Sequence, residues 1–551
     1  MARIQLLRIK GYRSIKEEIT IKFPENKPVV IIGENNSGKS NIVRALDILF
    51  GEFWPGSKTV EDHDFWGRDP SNGPIQIDAE FEGFNFTDKY RGAQEIRSLH
   101  WSFDPASDEK CAFFGRLSTG EDYKYISSEL RENCISVLIG ADRRLSYQLS
   151  YAFKGTLLAK LMRKFHARLT QDASRVASLK QKFSEIKNIF EEVSEFGEFH
   201  SELTRNFGEM FAGMSYGLQI DFSAYDPSNY FHSLKVFPKE DSATRTFEEL
   251  GTGQEQLLAL VFAHAYAKAF FGGIVLVIEE PEAHLHPLAQ KWLRRKIAEM
   301  SNDGLQVVLT SHSPLFIDLI GLEAIVLTRK DKGATRVVQA TTQELVDYCV
   351  RNGANPTKTN ASNILSFYSS SSTDEILSGF FAKKIVLVEG PSEALSLPAY
   401  FNKGGLDVLK EGIAVISVMG KGNIPKWYRL FSYFQIPIFV IFDNDIASDS
   451  NTRKRRDIFA TLGYRDSRKI DEALSITDWV IGKKICIFGR DYESSLQQCT
   501  PSYEELKRDA INRVGDSKPI VARYIAERMA FDGADVFWQK FRELVENIRR
   551  I

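Results

Sequence analysis

Cysteine is scarce and scattered in this 551-residue chain: Cys111, Cys134, Cys349, Cys486 and Cys499, with no C-x-x-C pair. That spacing argues against a structural zinc site and a disulfide framework, and the simplest setting is reducing and cytoplasmic. Long apolar runs are missing too. The longest are strand-length, far below the ~20 residues that span a bilayer. The opening Met1-Ala2-Arg3-Ile4-Gln5 has no signal-peptide core, so no membrane contact is expected. Nor does one sign of charge dominate: 71 Lys and Arg against 73 Asp and Glu leave a net −2. Without a global basic field, contact with nucleic acid must rest on local patches. What is present is 43% hydrophobic and 26% charged residues, an ordinary globular balance. The length suits roughly two to four domains.

Patterning divides the chain. Residues 1–150 open with strand signals, alternating at Ile4, Leu6 and Ile9 and continuous at Pro28–Ile32. Helical spacing follows Gly38, with Ile42, Val43, Leu46 and Leu49 on one side, and residues 75–82 alternate as a half-buried strand. From 151 to 212 there is no proline, many charges and helical periodicity. This reads as a helical insertion for dimerisation or partner binding, or equally as a solvated helical layer. Strand and helix patterns alternate again over 213–365. A polar stretch with Ser369–Ser372 marks a linker over 366–380. A second α/β pattern closes the chain over 381–551, ending in helices.

Gly33-Glu34-Asn35-Asn36-Ser37-Gly38-Lys39-Ser40, followed by Asn41, lies between a predicted strand and a predicted helix. In that context G-x-x-x-x-G-K-[ST] is a phosphate cradle. Backbone N–H groups wrap the phosphates, Lys39 supplies positive charge and the Ser40 hydroxyl suits Mg²⁺. The apolar strand Ile274–Ile278 ends in Glu279-Glu280. Glu279 suits the Mg²⁺ side, and Glu280 is placed to orient or deprotonate a water. His312 follows another strand, within reach of a γ-phosphate. Gly251, Gly253 and Gln254 form a glycine-rich turn able to donate N–H groups to a phosphate on another subunit. Each of these segments alone has a bland reading, since strand-end acids are often merely solvated.

The second module concentrates carboxylates. Val386-Leu387-Val388 runs into Glu389-Gly390-Pro391-Ser392-Glu393, and Ile438–Phe442 runs into Asp443-Asn444-Asp445. Two strands of an α/β sheet thus deliver acids to their C-terminal ends, where such folds place sites. Crowded carboxylates repel one another without cations, and oxygen ligands suit Mg²⁺ or Mn²⁺. Two such ions about 4 Å apart can activate a water and stabilise the leaving oxygen of a phosphodiester. Arg453-Lys454-Arg455-Arg456 lies just downstream and reads as a phosphate grip or a solvated loop.

The first set of motifs resembles the ABC-type ATPases of the SMC-like group. Glu279-Glu280-Pro281-Glu282-Ala283-His284-Leu285-His286-Pro287 and Ile9-Lys10-Gly11-Tyr12-Arg13-Ser14-Ile15 bring it closest to the overcoming-lysogenization-defect (OLD) family. The acid motifs resemble the Toprim domain of that family, as does the turn Gly420-Lys421-Gly422-Asn423. The resemblance implies an ABC-type ATPase with a helical insertion, then a Rossmann-like Toprim domain and C-terminal helices. It carries over Glu493, in Asp491-Tyr492-Glu493, as a metal ligand and Lys518 as a residue stabilising transition-state charge. It implies ATP with one Mg²⁺, two divalent ions at the acids, at least a homodimer, DNA as substrate and a role in bacterial antiviral defence. It leaves room for a partner protein or RNA–DNA element from the same operon. Glu279 stands where many ABC proteins have Asp, and the signature lacks the commoner serine, which bears on hydrolysis rate.

The expected activity is that of an ATP-binding, metal-dependent DNA endonuclease or nickase. The alternatives are a nucleotide-sensing, DNA-binding ATPase with a non-catalytic Toprim scaffold and, last, a topoisomerase- or primase-like enzyme. The last lacks both the cysteine pattern of a zinc module and a recognisable domain for a cleavage tyrosine.

Overall fold

Strict alternation along Ile75–Glu82, with Ile75, Ile77, Ala79 and Phe81 buried, makes that strand one wall of an antiparallel sheet. The computed structural model describes residues 2–51, 54–55, 60–131, 134–139, 273–445, 452–530 and 536–551, the helix Ala173–Glu191 and scattered positions between 162 and 265. The antiparallel sheet orders its strands Ile19–Lys22, Arg3–Lys10, Ile75–Glu82, Gly92–Phe103, Cys111–Leu117 and Asp122–Tyr123, with Asn85–Asp88 beside Gly92–Phe103. It packs against a second, mainly parallel sheet in the order Ala334–Gln339, Ile325–Asp331, Val29–Gly33, Gln306–Ser311, Gly273–Glu279 and Cys134–Ile139. Two glutamine side chains clip the sheets together. Gln306 exchanges hydrogen bonds with the Ile4 backbone at 2.6 and 2.8 Å, and Gln339 does so with Lys22 at 2.8 Å each.

The third sheet is Rossmann-like: Ile413–Ser417, Lys384–Val388, Ile438–Asp443 and Ile485–Phe488 run parallel, and Val480–Ile481 is antiparallel at one edge. The C-terminal helix Val536–Arg550 seats Phe537, Trp538, Phe541, Leu544, Val545 and Ile548 on this domain, the helical spacing of one apolar face.

The expected fold class and C-terminal helices are therefore present. Of the insertion at 151–212, the long helix Ala173–Glu191 is described and is helical as predicted. The polar stretch read as a linker behaves differently. Ile364–Ser371 and Asp374–Ser378 are helices, and Ile364, Tyr368, Ile376, Leu377 and Phe380 are buried. Serines occupy the outer face and apolar residues the inner one, so a polar composition concealed an amphipathic segment. The apolar cluster it joins runs without a break from Ile32 and Leu327 of the second sheet to Ile385 and Leu387 of the third. Arg329 adds polar links across the same junction, donating to the carbonyls of Ala382 and Lys383 at 3.1 and 3.0 Å.

Gly379 marks the tightest point of the junction. A Cβ there would lie 2.9 Å from Ile385, Ile416 and Phe431 side-chain atoms. Gly379→Val should lower the urea transition by the equivalent of about 1–3 kcal/mol through overpacking. Ser370→Ala, on the exposed serine face, should stay within about 0.5 kcal/mol. Equal effects of the two substitutions would show that the junction is loosely packed.

Candidate functional site

Parallel strands end at one edge, and the second sheet puts its polar groups there. Val29–Gly33 lies between Gln306–Ser311 and Ile325–Asp331, with Ser311 opposite Ile32 and Thr328 opposite Gly33. The loop after Gly33 turns through left-handed backbone at Asn36 (φ 63°) and Gly38 (φ 108°) into the helix Lys39–Phe50. At Gly38 a Cβ would fall 2.2 Å from Thr335 Oγ1, so only glycine fits. Ser37 is held by Thr328 at 2.6 Å and by the Thr335 hydroxyl, which donates to its carbonyl at 2.8 Å. Asn41 donates to Ser14 at 2.7 Å, which gives the Gly11–Ser14 segment a supporting role under the loop. Asn35, Asn36 and Ser40 are exposed. Lys39 is buried and folds back onto the carbonyls of Gly33 and Glu34 at 3.0 and 2.9 Å.

Glu279 ends the neighbouring strand, and Glu280 takes up a positive φ of 49° just beyond it. The Glu280 carboxylate stands 3.6 Å from His312 Nε2, so these two predicted residues do meet. Sequence reasoning gave Glu282 no role, yet it accepts the His312 backbone N–H at 2.5 Å and keeps its second oxygen buried without a donor. Its signal was present as the third acid of the Glu279–Pro287 run. Gly251, Gly253 and Gln254 lie outside the described residues.

Burial lowers the Lys39 pKa to about 8, against the pull of Glu280, Glu282 and Glu34. A bound phosphate favours the ammonium, so above pH 8 binding must also take up a proton. Nucleotide affinity should therefore be nearly flat from pH 6.5 to 7.5 and fall by up to about tenfold per pH unit above 8. Fluorescent-nucleotide titrations at pH 7 and 9.5 with equal Kd would contradict this.

The third sheet gathers acids at the corresponding edge. Val388 pairs with Ile441 in the adjacent strand, so Glu389 and Asp443 emerge side by side. The turn at Gly390 starts the helix Pro391–Lys403, whose first turn carries Glu393, 5% exposed. Asp443 pairs with Phe488, and beyond that strand Asp491 caps the helix Tyr492–Cys499, which brings Glu493 to the same edge. The Tyr492 hydroxyl meets Ser396 at 2.5 Å and locks this helix to Pro391–Lys403. Electrostatics reflects the crowding. Burial, then the charges of Glu389 and Glu493, push Glu393 up to about 7. Burial also raises Glu389, and raises Asp443 well above the usual carboxylate range, with Glu393, Glu389 and Asp445 adding to the latter.

Two oxygens in this group, Glu389 Oε2 and Asp443 Oδ1, are sealed from solvent with no hydrogen-bond donor. Asp445 is satisfied: Lys421 Nζ lies 2.5 Å from its Oδ2 and 3.6 Å from Glu389 Oε2. Among the described residues no group of three or more His, Cys, Asp or Glu side chains stands arranged to hold a metal ion. The acids share an edge, but Lys421 is threaded between two of them. Sealed carboxylate oxygens without donors are nonetheless a donor set that fits a hard divalent cation.

Lys518 opens the helix Lys518–Arg528 and is exposed. At the far end of that helix, Lys403 donates to the carbonyls of Ala526, Glu527 and Met529 at 2.7, 2.8 and 2.7 Å. The C-terminal ends of Pro391–Lys403 and Lys518–Arg528 thus coincide, so the two helices run parallel and Lys518 shares an end with Glu393. The basic run after Asp445 is partly structural. Arg455 is buried and donates to Asn444 Oδ1 at 2.8 Å, and Arg456 pairs with Asp471. Helix periodicity turned one of the four basic side chains inward and left the other three exposed.

A family model for the Toprim domain of overcoming-lysogenization-defect-like proteins matches residues 380–445, and one for an AAA ATPase domain matches 3–128 and 118–317. The chain belongs to the OLD family. A protein of Thermus scotoductus called OLD nuclease is 26% identical over 471 residues, covering 82% of this chain and 85% of that protein. The Old nuclease of Escherichia phage P2 is 22% identical over 271 residues, 47% of this chain and 44% of the other. Among solved structures, the Smc head domain of Pyrococcus furiosus aligns with a TM-score of 0.39 at 15% identity, covering 64% of this chain and 99% of its own. This OLD-family chain therefore joins an ATPase domain to a Toprim domain. Among its described residues no helix is long and apolar enough to cross a membrane.

Asp443 carries the largest unrelieved burden at the acid edge. Asp443→Asn should raise the thermal stability of the full chain in chelator by the equivalent of ~1 kcal/mol or more, because a sealed charge is removed. If Mn²⁺ stabilises the wild type, the same variant should lose that gain. A drop in stability in chelator would mean that the Asp443 charge is already compensated.

Proposed function

We propose that this OLD-family protein is an ATP-binding, divalent-metal-dependent endonuclease or nickase acting on DNA. The observation that carries the reading is the pair of sealed, donorless carboxylate oxygens on neighbouring strands, Glu389 Oε2 and Asp443 Oδ1. Glu389, Glu393, Asp443, Asp445 and Glu493 would hold Mg²⁺ or Mn²⁺. When bound, the metal supplies a more acidic water and charge stabilisation at phosphorus. The remaining chemistry falls to side chains. A carboxylate accepts the proton of the attacking water as its oxygen bonds to phosphorus and the ester P–O bond breaks. Lys518, on a flexible stem at the same end of the domain, offsets the charge that develops on the phosphoryl oxygens. The names of the two relatives support this assignment.

At the ATPase edge, Lys39 and the loop N–H groups bind phosphates, with Ser40 and Glu279 on the Mg²⁺ side. Glu280, beside His312, orients the water. Gly251, Gly253 and Gln254 would complete the site of a second copy, which makes the working unit at least a dimer. Defence of a bacterium against phage is the role that family resemblance supports.

A second reading keeps the ATPase as a sensor and makes the Toprim domain a scaffold. One observation favours it: Lys421 neutralises part of the acid edge without any metal. Plasmid nicking separates the two. With Mg²⁺ or Mn²⁺, Glu389→Ala and Asp443→Ala should each slow nicking by at least ~100-fold, the scale of losing one preorganised electrostatic contact. Lys39→Ala should abolish nucleotide binding. No nicking by the wild type, together with undiminished biological activity in Asp443→Ala, would establish the scaffold.

A further inference from the structure

The antiparallel sheet carries an aromatic and basic surface that the chemistry above does not use. Strands Asn85–Asp88 and Gly92–Phe103 pair with Asp88 opposite Gly92, which leaves Lys89-Tyr90-Arg91 as a three-residue hairpin loop. Gly92 closes it at φ 73°. One carboxylate organises the surface. Asp88 Oδ1 accepts the backbone N–H groups of Tyr90 and Arg91 at 2.8 Å each, and its Oδ2 accepts the Tyr123 hydroxyl at 2.8 Å. The Tyr123 ring packs on Phe86 at 5.1 Å and edge-on to Tyr125 at 6.4 Å. Tyr90 and Tyr125 line one open depression, yet they are 89% and 85% exposed. Single exposed apolar side chains are ordinary, whereas two aromatic rings set on one braced frame make a binding surface.

Charge says what fits it. The carboxylates here are already engaged: Asp88 as described, Glu121 with Arg91 at 2.9 Å and Asp122 with Arg116 at 3.2 Å. Lys89 and Lys124, the chain neighbours of the two tyrosines, pair with no carboxylate among the described residues, and the Lys89 ammonium lies 5.7 Å from the Tyr90 ring centre. We propose that this depression binds single-stranded nucleic acid, its bases stacking on Tyr90 and Tyr125 and its phosphates held by Lys89 and Lys124. Stacking needs a base whose face is uncovered, which a duplex does not offer. Lysine is depleted in protein–protein interfaces, whereas unpaired lysines interleaved with aromatic rings suit a polyanion of flat rings. Such contacts favour no particular base, so the surface holds a strand without reading its sequence. It lies in the ATPase domain, on a different sheet from the acid edge, and stands whether or not that edge binds metal.

Fluorescence anisotropy of labelled oligothymidylate with the nucleotide-free full chain in chelator tests this, with oligouridylate run beside it to tell DNA from RNA. Tyr90→Ala and Tyr125→Ala should each weaken binding by at least about fivefold. Tyr90→Phe and Tyr125→Phe, which keep the rings, should stay within about twofold of the wild type. Lys89→Ala combined with Lys124→Ala should flatten the slope of log Kd against log salt by about 1.4, the share of two phosphate contacts. Affinity for a blunt duplex should not change in the tyrosine variants. No binding of either oligonucleotide by the wild type would overturn the proposal. So would alanine variants that stay folded by circular dichroism and bind as the wild type does. If the double tyrosine-to-alanine variant binds normally but loses oligomeric mass in light scattering, the surface belongs to contact between copies of the chain, and the proposal falls. No readout here involves cleavage or metal, so nicking by the wild type decides the endonuclease reading separately.

Discussion

Parallel pairing of Lys384–Val388 with Ile438–Asp443 is the constraint on which the rest of the C-terminal half turns. Once Val388 and Ile441 are register partners, Glu389 and Asp443 must leave the sheet together, because both strands point the same way. The strands are nearly continuous runs of buried Ile, Val, Leu and Phe, as a sheet covered on both faces requires. That burial rigidly delivers charged groups to a place where water is scarce. Sealing carboxylates costs free energy, and the raised pKa values of Glu389, Glu393 and Asp443 are the expression of that cost. The surroundings offset part of it. Lys421 supplies a cation, and the hydroxyl pair of Tyr492 and Ser396 fixes the helix that brings Glu493.

The nucleotide edge solves a related problem in the opposite sense. There the buried charge is a cation, Lys39, and backbone carbonyls hold it where carboxylates nearby favour its charged form. Threonines do the framing. Thr328 and Thr335, on the antiparallel pair at the end of the second sheet, fasten Ser37 from two sides. Thr328 also donates to the Ile32 carbonyl at 2.9 Å, so the loop is tied to the strand that launches it. The next residue, Arg329, grips the backbone that leads into the strand Lys384–Val388, just before Glu389. A short run of contacts thus spans from phosphate loop to acid edge, beside a continuous apolar cluster.

Much of this was legible in the chain because local signals agreed with one another. The phosphate loop carries its own glycines and lysine in order, and each acid motif follows a recognisable apolar strand. Amphipathic spacing marked the helix Lys39–Phe50, and alternation marked Ile75–Glu82. Composition failed where a segment was polar on one face alone. Residues 366–380 read as a linker because serine is frequent there, although Tyr368 and Ile376 are core. Within the basic run 453–456, composition could not show that helical rotation buries Arg455 beside Asn444 while Arg453 stays outside.

Residue order alone determined which chemical groups this protein owns and which strand each one follows: a lysine and hydroxyl after Gly38, carboxylates after Val388 and Phe442. It determined the two α/β modules as well, since period-two and period-3.6 patterns are local properties. Tertiary structure decided who meets whom. That Lys421 lies between Glu389 and Asp445, that Glu282 holds His312, and that Lys518 shares an end with Glu393 depend on strand order and helix packing. Such contacts join residues far apart in the chain, and no short-range pattern encodes them, because the free energy that selects them is released only when whole faces are buried together.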